Sequence, residues 1–126
     1  MAPEQILFYT IIGIVLFVYV RRRLRARSLA NYSGEEAKQR AATGSVLLDV
    51  RTASERKSNA IPRSLHIPLH ELSARINELE KYRGKEIICY CASGNRSVSA
   101  ALRLKKAGFK TGNLKGGIGA WSFSNS

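Results

Sequence analysis

The amino-acid sequence predicts an α/β fold: an open, mainly parallel sheet flanked by helices, preceded by one N-terminal transmembrane helix. Three observations carry this. Residues 45–50 and 86–90 are short apolar runs that read as strands buried on both faces, as in a parallel sheet. Helix-like segments alternate with such runs across short connections, giving a β-α-β-α-β pattern. Residues 6–20 are apolar and uncharged, and arginines follow at once. The 126 residues divide accordingly into an anchor with a basic flank, 1–27, and a domain, 28–126, large enough for its own core.

As a helix, the 15 residues 6–20 would extend about 22 Å at ~1.5 Å per residue, short of the usual span. Counting from Ala2 and letting Arg21 and Arg22 snorkel closes most of the gap. A signal peptide fits poorly, because positive charge follows the apolar run, Glu4 precedes it, and no small-x-small cleavage site is present. A buried core helix fits poorly too, since no polar face separates from an apolar one. Arg21, Arg22, Arg23, Arg25 and Arg27 follow the run and none precedes it, which puts the N-terminus outside and the domain in the cytoplasm. The lipid bilayer is thus an expected partner of residues 6–20.

In the domain, Ser28 to Asn31 reads as a connector. Ser33-Gly34-Glu35-Glu36 has capping-box spacing and predicts a helix over 34–42, stopped by Thr43-Gly44. The strand 45–50 ends on Asp49, a polar break that caps or salt-bridges a neighbouring turn. Residues 53–58 allow one helical turn. Leu69, Leu72, Ile76 and Leu79 predict an amphipathic surface helix over 69–82. A strand over 86–90, a helix over 97–107 and a strand over 109–114 follow. Gly116-Gly117 permits a tight turn before a last helical turn carrying Trp121, which is expected in the core.

Net charge is +12, and residues 28–126 hold sixteen Lys or Arg against eight acids. With no nucleic-acid recognition motif and no clustered aromatics, this balance suits an anionic small substrate or an anionic bilayer surface, not nucleic acid. His66 and His70 are separated by Pro68 and have no third partner, which argues against a metal site. Cys89 and Cys91 are poorly placed for a structural disulfide, and so few cysteines point to a reducing compartment. Cys89 reads as a small buried strand residue, with a resolving thiol as the alternative.

Cys91-Ala92-Ser93-Gly94-Asn95-Arg96-Ser97 lies where the strand over 86–90 turns into the next helix. Unpaired N–H groups and the positive end of the helix dipole lower a thiol's pKa there and make the thiolate available as a nucleophile. Arg96 adds a fixed charge whose donors suit an oxyanion.

The run Tyr90-Cys91-Ala92-Ser93-Gly94-Asn95-Arg96-Ser97 resembles the active-site loop of single-domain rhodaneses, which are sulfurtransferases. Leu47-Leu48-Asp49-Val50-Arg51, Ile61-Pro62 with Ile67-Pro68-Leu69, and Gly116-Gly117-Ile118-Gly119-Ala120-Trp121 resemble further marks of that family, in its order. The resemblance implies the rhodanese-like fold, Cys91 as the catalytic nucleophile that becomes a persulfide, and no cofactor. It implies that Arg96 and the loop residues Ala92, Ser93, Gly94, Asn95 and Ser97 bind substrate, with Asp49 and Arg51 as supports. The implied partners are a thiosulfate-like donor and a thiol or cyanide acceptor. Two other readings stay open: a non-catalytic docking or sensing module, and a phosphatase or arsenate reductase. The latter pattern, Cys-x5-Arg, would need arginine at 97, where Ser97 stands. The chain departs from the family at Asn59, Ala60, Arg63 and Ser64, where relatives commonly carry Gly-His-Ile-Pro-Gly-Ala. Asn59 suits the left-handed backbone that glycine would take, and Arg63 would be strained at positive φ.

Overall fold

The computed structural model describes residues 1–123; of the five arginines after the apolar run, the side chains of Arg25 and Arg27 lie outside the described residues. Helix α1 (Pro3–Arg27) is followed by β1 (Ala30–Tyr32), α2 (Gly34–Ala42), β2 (Val46–Asp49), α3 (Ala53–Ser58) and β3 (Leu65–His66). After a broken helical stretch come β4 (Ile87–Tyr90), α5 (Asn95–Lys106), β5 (Thr111–Leu114) and α6 (Gly117–Phe123). The five strands form one sheet in the order β1-β5-β4-β2-β3, and every pairing is parallel.

Strand β4 sits at the centre, and its alternation sorts the core into two layers. Ile87, Cys89 and Cys91 join Ala100, Ala101 and Leu104 of α5 on one face. Ile88 and Tyr90 join Ala37 of α2, Leu47, Ile61 and Leu114 on the other. Both faces of the central strand are therefore apolar, which is why its sequence shows no polar alternation. Replacing Ile88 with alanine in such a place costs about 2–5 kcal/mol.

The capping box of α2 forms, with the Ser33 hydroxyl accepting from the Glu36 amide and the Glu36 carboxylate accepting from the Ser33 amide. The sequence pattern misses two short strands. Residues 30–32, of which 30 and 31 read as part of a connector, pair with β5 as β1, and residues 65–66 pair with β2 as β3.

The single helix expected over 69–82 is corrected. The segment is a 3-10 turn (Leu69–Glu71), one α-turn (Leu72–Arg75) and a longer 3-10 stretch (Ile76–Tyr82). Side chains three apart eclipse in a 3-10 helix, and Ile76, Leu79 and Tyr82 have that spacing, so all three pack against the core along one line, Leu79 fully buried. Trp121 packs on the second layer of the core and is half-buried there, with the Lys38 ammonium 5.3 Å from its ring centre.

In α1, Pro3–Leu24 are 22 residues holding an 18-residue window of mean hydropathy 1.8, none buried against the domain, and long and apolar enough to cross a membrane. At ~1.5 Å per residue they extend about 33 Å, longer than the charge-free run alone.

Candidate active site

The site begins at the C-terminal end of the central strand, where ligands gather in parallel sheets. Gly94 takes the left-handed conformation (φ 96°), so the chain reverses within three residues of Cys91 and α5 starts at Asn95, two residues earlier than its sequence pattern suggests. Arg96 and Ser97 thus fall in the first turn of α5. The β5–α6 turn lies directly beneath. The Ile118 amide donates to the Cys91 carbonyl (2.9 Å), and a Cβ on Gly117 would collide with the carbonyls of Ala92 and Cys91. Gly117 serves this close approach as well as the turn, and Gly116 the turn (φ 80°).

The Cys91 sulfur accepts from the Gly94 amide at 3.0 Å and lies 3.4 Å from the Ser97 hydroxyl. Burial pushes the thiol up. When the Ser97 hydroxyl donates to the sulfur, it and the Ser97, Ser93 and Gly94 amides pull the thiol down, and the net is a thiol held below its ordinary value. Cys89 lies on the same face of the strand, and burial drives its thiol far up. Both cysteines are free and fully buried.

The resemblance implies that Arg96 binds substrate, and in the structure its guanidinium faces a carboxylate. Its Nη1 and Nη2 grip the two Glu55 oxygens at 2.7 and 2.8 Å. Glu55 also accepts from the Thr52 amide in the capping box of α3. The Arg96 guanidinium, helped by that amide, lowers the Glu55 carboxyl to about 2. The site arginine is therefore paired within the protein. Its outer side borders a recess of about 360 Å³ that Arg103 and His70 also line.

Asp49 and Arg51 form a buried hub beside the loop, bonded to each other. The Arg51 amide, Nε and Nη2 donate to Asp49 at 2.9, 3.0 and 2.9 Å. Burial opposes the Asp49 carboxylate, but these bonds outweigh it and hold its pKa below the usual value. Arg51 also donates to the Asn59 side chain and carbonyl, and the Tyr90 hydroxyl donates to Asp49 at 3.2 Å. Asn59 is extended (φ −166°), not left-handed, because its side chain and carbonyl face Arg51. Arg63 does take positive φ (67°), so the strain foreseen there is real, about 1–3 kcal/mol for such a residue.

The loop thus brings Cys91, Gly94 and Ser97 together, with the Ser93 amide contributing and Asn95 opening α5. Ala92 forms the floor over Gly117. Sequence reasoning missed Glu55, although Thr52-Ala53-Ser54-Glu55 has the same capping-box spacing as Ser33 to Glu36. It also missed Asn113, a buried strand residue whose Oδ1 accepts from the Ser97 hydroxyl. No local pattern marks it.

The family model described as "Rhodanese-like domain" matches residues 33–124. The chain belongs to that family. A sulfurtransferase of Allochromatium vinosum is 41% identical over 78 residues, covering 61% of this chain and 71% of the relative. The thiosulfate sulfurtransferase GlpE of Pseudomonas syringae is 35% identical over 88 residues, covering 69% and 81%. The crystal structure of a rhodanese-related protein from Thermoplasma volcanium superposes with TM-score 0.68 at 30% identity, covering 74% of this chain and 90% of that one. Sulfur transfer of the rhodanese type is therefore the activity class of its relatives, and the α/β fold with its parallel sheet is the rhodanese-like fold.

Proposed function

We propose that this rhodanese-like chain is a sulfurtransferase in which Cys91 carries the sulfur. The observation that supports this most is the thiol itself: it sits at the strand-to-helix turn, accepts the Gly94 amide at 3.0 Å, and is held below its ordinary pKa. The Cys91 thiolate attacks the outer sulfur of a thiosulfate-like donor. The sulfur–sulfur bond breaks, its electron pair leaves with sulfite, and a persulfide forms on Cys91. A thiol or cyanide then attacks the outer persulfide sulfur, and the electron pair of the broken bond returns to Cys91 as thiolate. Backbone donors of the loop and the α5 N-terminus stabilise the negative sulfur at each stage. Arg96 meets the anionic end of the donor from the recess it shares with Arg103 and His70. In the same proposal α1 anchors the protein in a bilayer, with the domain on the cytoplasmic side.

Two observations favour the docking alternative: Cys91 is fully buried, and Arg96 is already paired with Glu55. One experiment decides between them. The protein is incubated with thiosulfate, and the intact mass and the Cys91 peptide are measured by mass spectrometry. Gain of one sulfur at Cys91, lost again on adding cyanide, supports transfer. An unchanged mass at saturating thiosulfate rejects it in favour of docking.

A further inference from the structure

We propose that Asn113, backed by Asn31, is a positioning residue that sets which way the Ser97 hydroxyl points, and so how readily Cys91 gives up its proton. The direction of every bond in this chain follows from its far end. The Leu29 carbonyl can only accept, and it receives the Asn31 side-chain amide at 3.0 Å. The Asn31 oxygen therefore faces inward and accepts from Asn113 Nδ2 at 2.9 Å. That leaves Asn113 Oδ1 facing Ser97, and an amide oxygen only accepts, so Ser97 spends its one proton there. Reversing either amide would set oxygen against oxygen. The chain thus orients itself from a backbone carbonyl to the sulfur.

With its proton committed, the Ser97 oxygen presents lone pairs to Cys91 Sγ at 3.4 Å. This suits a thiol, whose S–H donates to that oxygen while the Gly94 amide donates to the sulfur. It does not suit a thiolate, which has no proton to share. When the Cys91 proton leaves for solvent, Ser97 must turn its own proton from Asn113 to the sulfur. An amide oxygen on a residue only 2% exposed then loses its partner. Asn113 and the sulfur compete for one hydroxyl proton, and Asn113 tips the site towards the thiol.

The other ionisable groups around the sulfur are few. Arg96 on α5 favours the thiolate through its charge. Cys89 on β4 is fully buried and stays neutral. Strand β5 and residues 117–122 of α6 bring no ionisable side chain. The Ser97 proton is therefore the device at this site whose direction a neutral neighbour can change.

This inference rests on Cys91 being the nucleophile, but its test needs no sulfur donor, so failure of transfer and failure of the relay are separable. The pH dependence of iodoacetamide alkylation is measured on the full chain in detergent, with the Cys91 peptide followed by mass spectrometry. Asn113→Leu frees the hydroxyl proton for the sulfur, so the midpoint moves to lower pH and alkylation below it quickens about tenfold, one hydrogen bond's worth. Asn31→Leu changes an exposed edge residue and keeps the core, so it folds even if the first variant does not. It lets Asn113 reverse and donate to Ser97, and moves the midpoint the same way. Adding Ser97→Ala to either variant cancels the gain. A midpoint unmoved or raised in Asn31→Leu overturns the proposal.

Discussion

At the scale of single residues, the two cysteines separate by environment. Cys91→Ser is expected to abolish sulfur gain from thiosulfate, and Cys89→Ser to keep most of it. Only Cys91 accepts loop amides; Cys89 is sealed in the core with its thiol driven up by burial. Equal losses from both would refute these roles, with single-turnover sulfur gain as the readout. Glu55 sets a second expectation, because a donor's anionic end must compete with its carboxylate for Arg96. Glu55→Gln keeps a capping side chain for α3 and removes the competing charge. The thiosulfate concentration at half-maximal rate should fall about two- to fivefold, the worth of a partly exposed ion pair. The sign in pH is fixed by the direction of the shift. The carboxyl is lowered from 4.5 to about 2, so the pair's contribution to stability is complete above pH 4.5 and is lost as pH falls through 2. Melting temperatures of the two forms should therefore differ above pH 4.5 and converge in stronger acid. A variant that binds thiosulfate more weakly would show that Glu55 aims Arg96 at the donor instead of withholding it.

At the scale of elements, the β5–α6 turn and the nucleophile loop form one unit. Gly117 has φ 70° and lies against the Cys91 and Ala92 carbonyls, so Gly117→Ala must push the loop away as well as strain its own backbone. A destabilisation of about 1–3 kcal/mol is expected, with alkylation of Cys91 losing its low-pH midpoint. A chemical-denaturation curve and the alkylation profile together check both parts. The same unit shows what the sequence made legible. The run 86–90, the stopping glycines and the Ser33 capping box each act through local chemistry, so the central strand, α2 and the position of Cys91 could be read directly. The edge strands 30–32 and 65–66 are held by pairing with β5 and β2, not by any pattern of their own. The Arg96–Glu55 and Ser97–Asn113 contacts join residues 41 and 16 apart, and such contacts follow from the closed sheet and not from neighbours in the chain. The spacing of three at 76, 79 and 82 suits a 3-10 stretch as well as an α-helix, so periodicity alone does not separate the two.

At the scale of the whole molecule, α1 and the domain are two solutions to burying apolar surface. Helix α1 carries large exposed apolar side chains from Ile6 to Val20 and buries none of Pro3–Leu24 against the domain, which is the surface the proposed bilayer anchor would cover. The domain's own packing begins with Leu29, which is buried among the α5-side layer, and the Lys105 ammonium donates to the Ser28 carbonyl at 3.3 Å. A chain starting at Ser28 therefore keeps both contacts and is expected to fold and to gain sulfur from thiosulfate at close to the full-length rate. It should also leave the membrane fraction, whereas the full-length chain should stay there after washing with high salt and with alkaline carbonate. Persistence of the truncated chain in the pellet would place the attachment on the domain instead. The proposed orientation, with the domain in the cytoplasm, rests on the five arginines between 21 and 27, each costly to translocate. A reporter fused after Ser126 and active only outside the cytoplasm should stay silent, and the same reporter before Met1 should be active. The reverse pattern would put Cys91 outside the cytoplasm, where an oxidising environment would act on a thiol already held below its ordinary pKa.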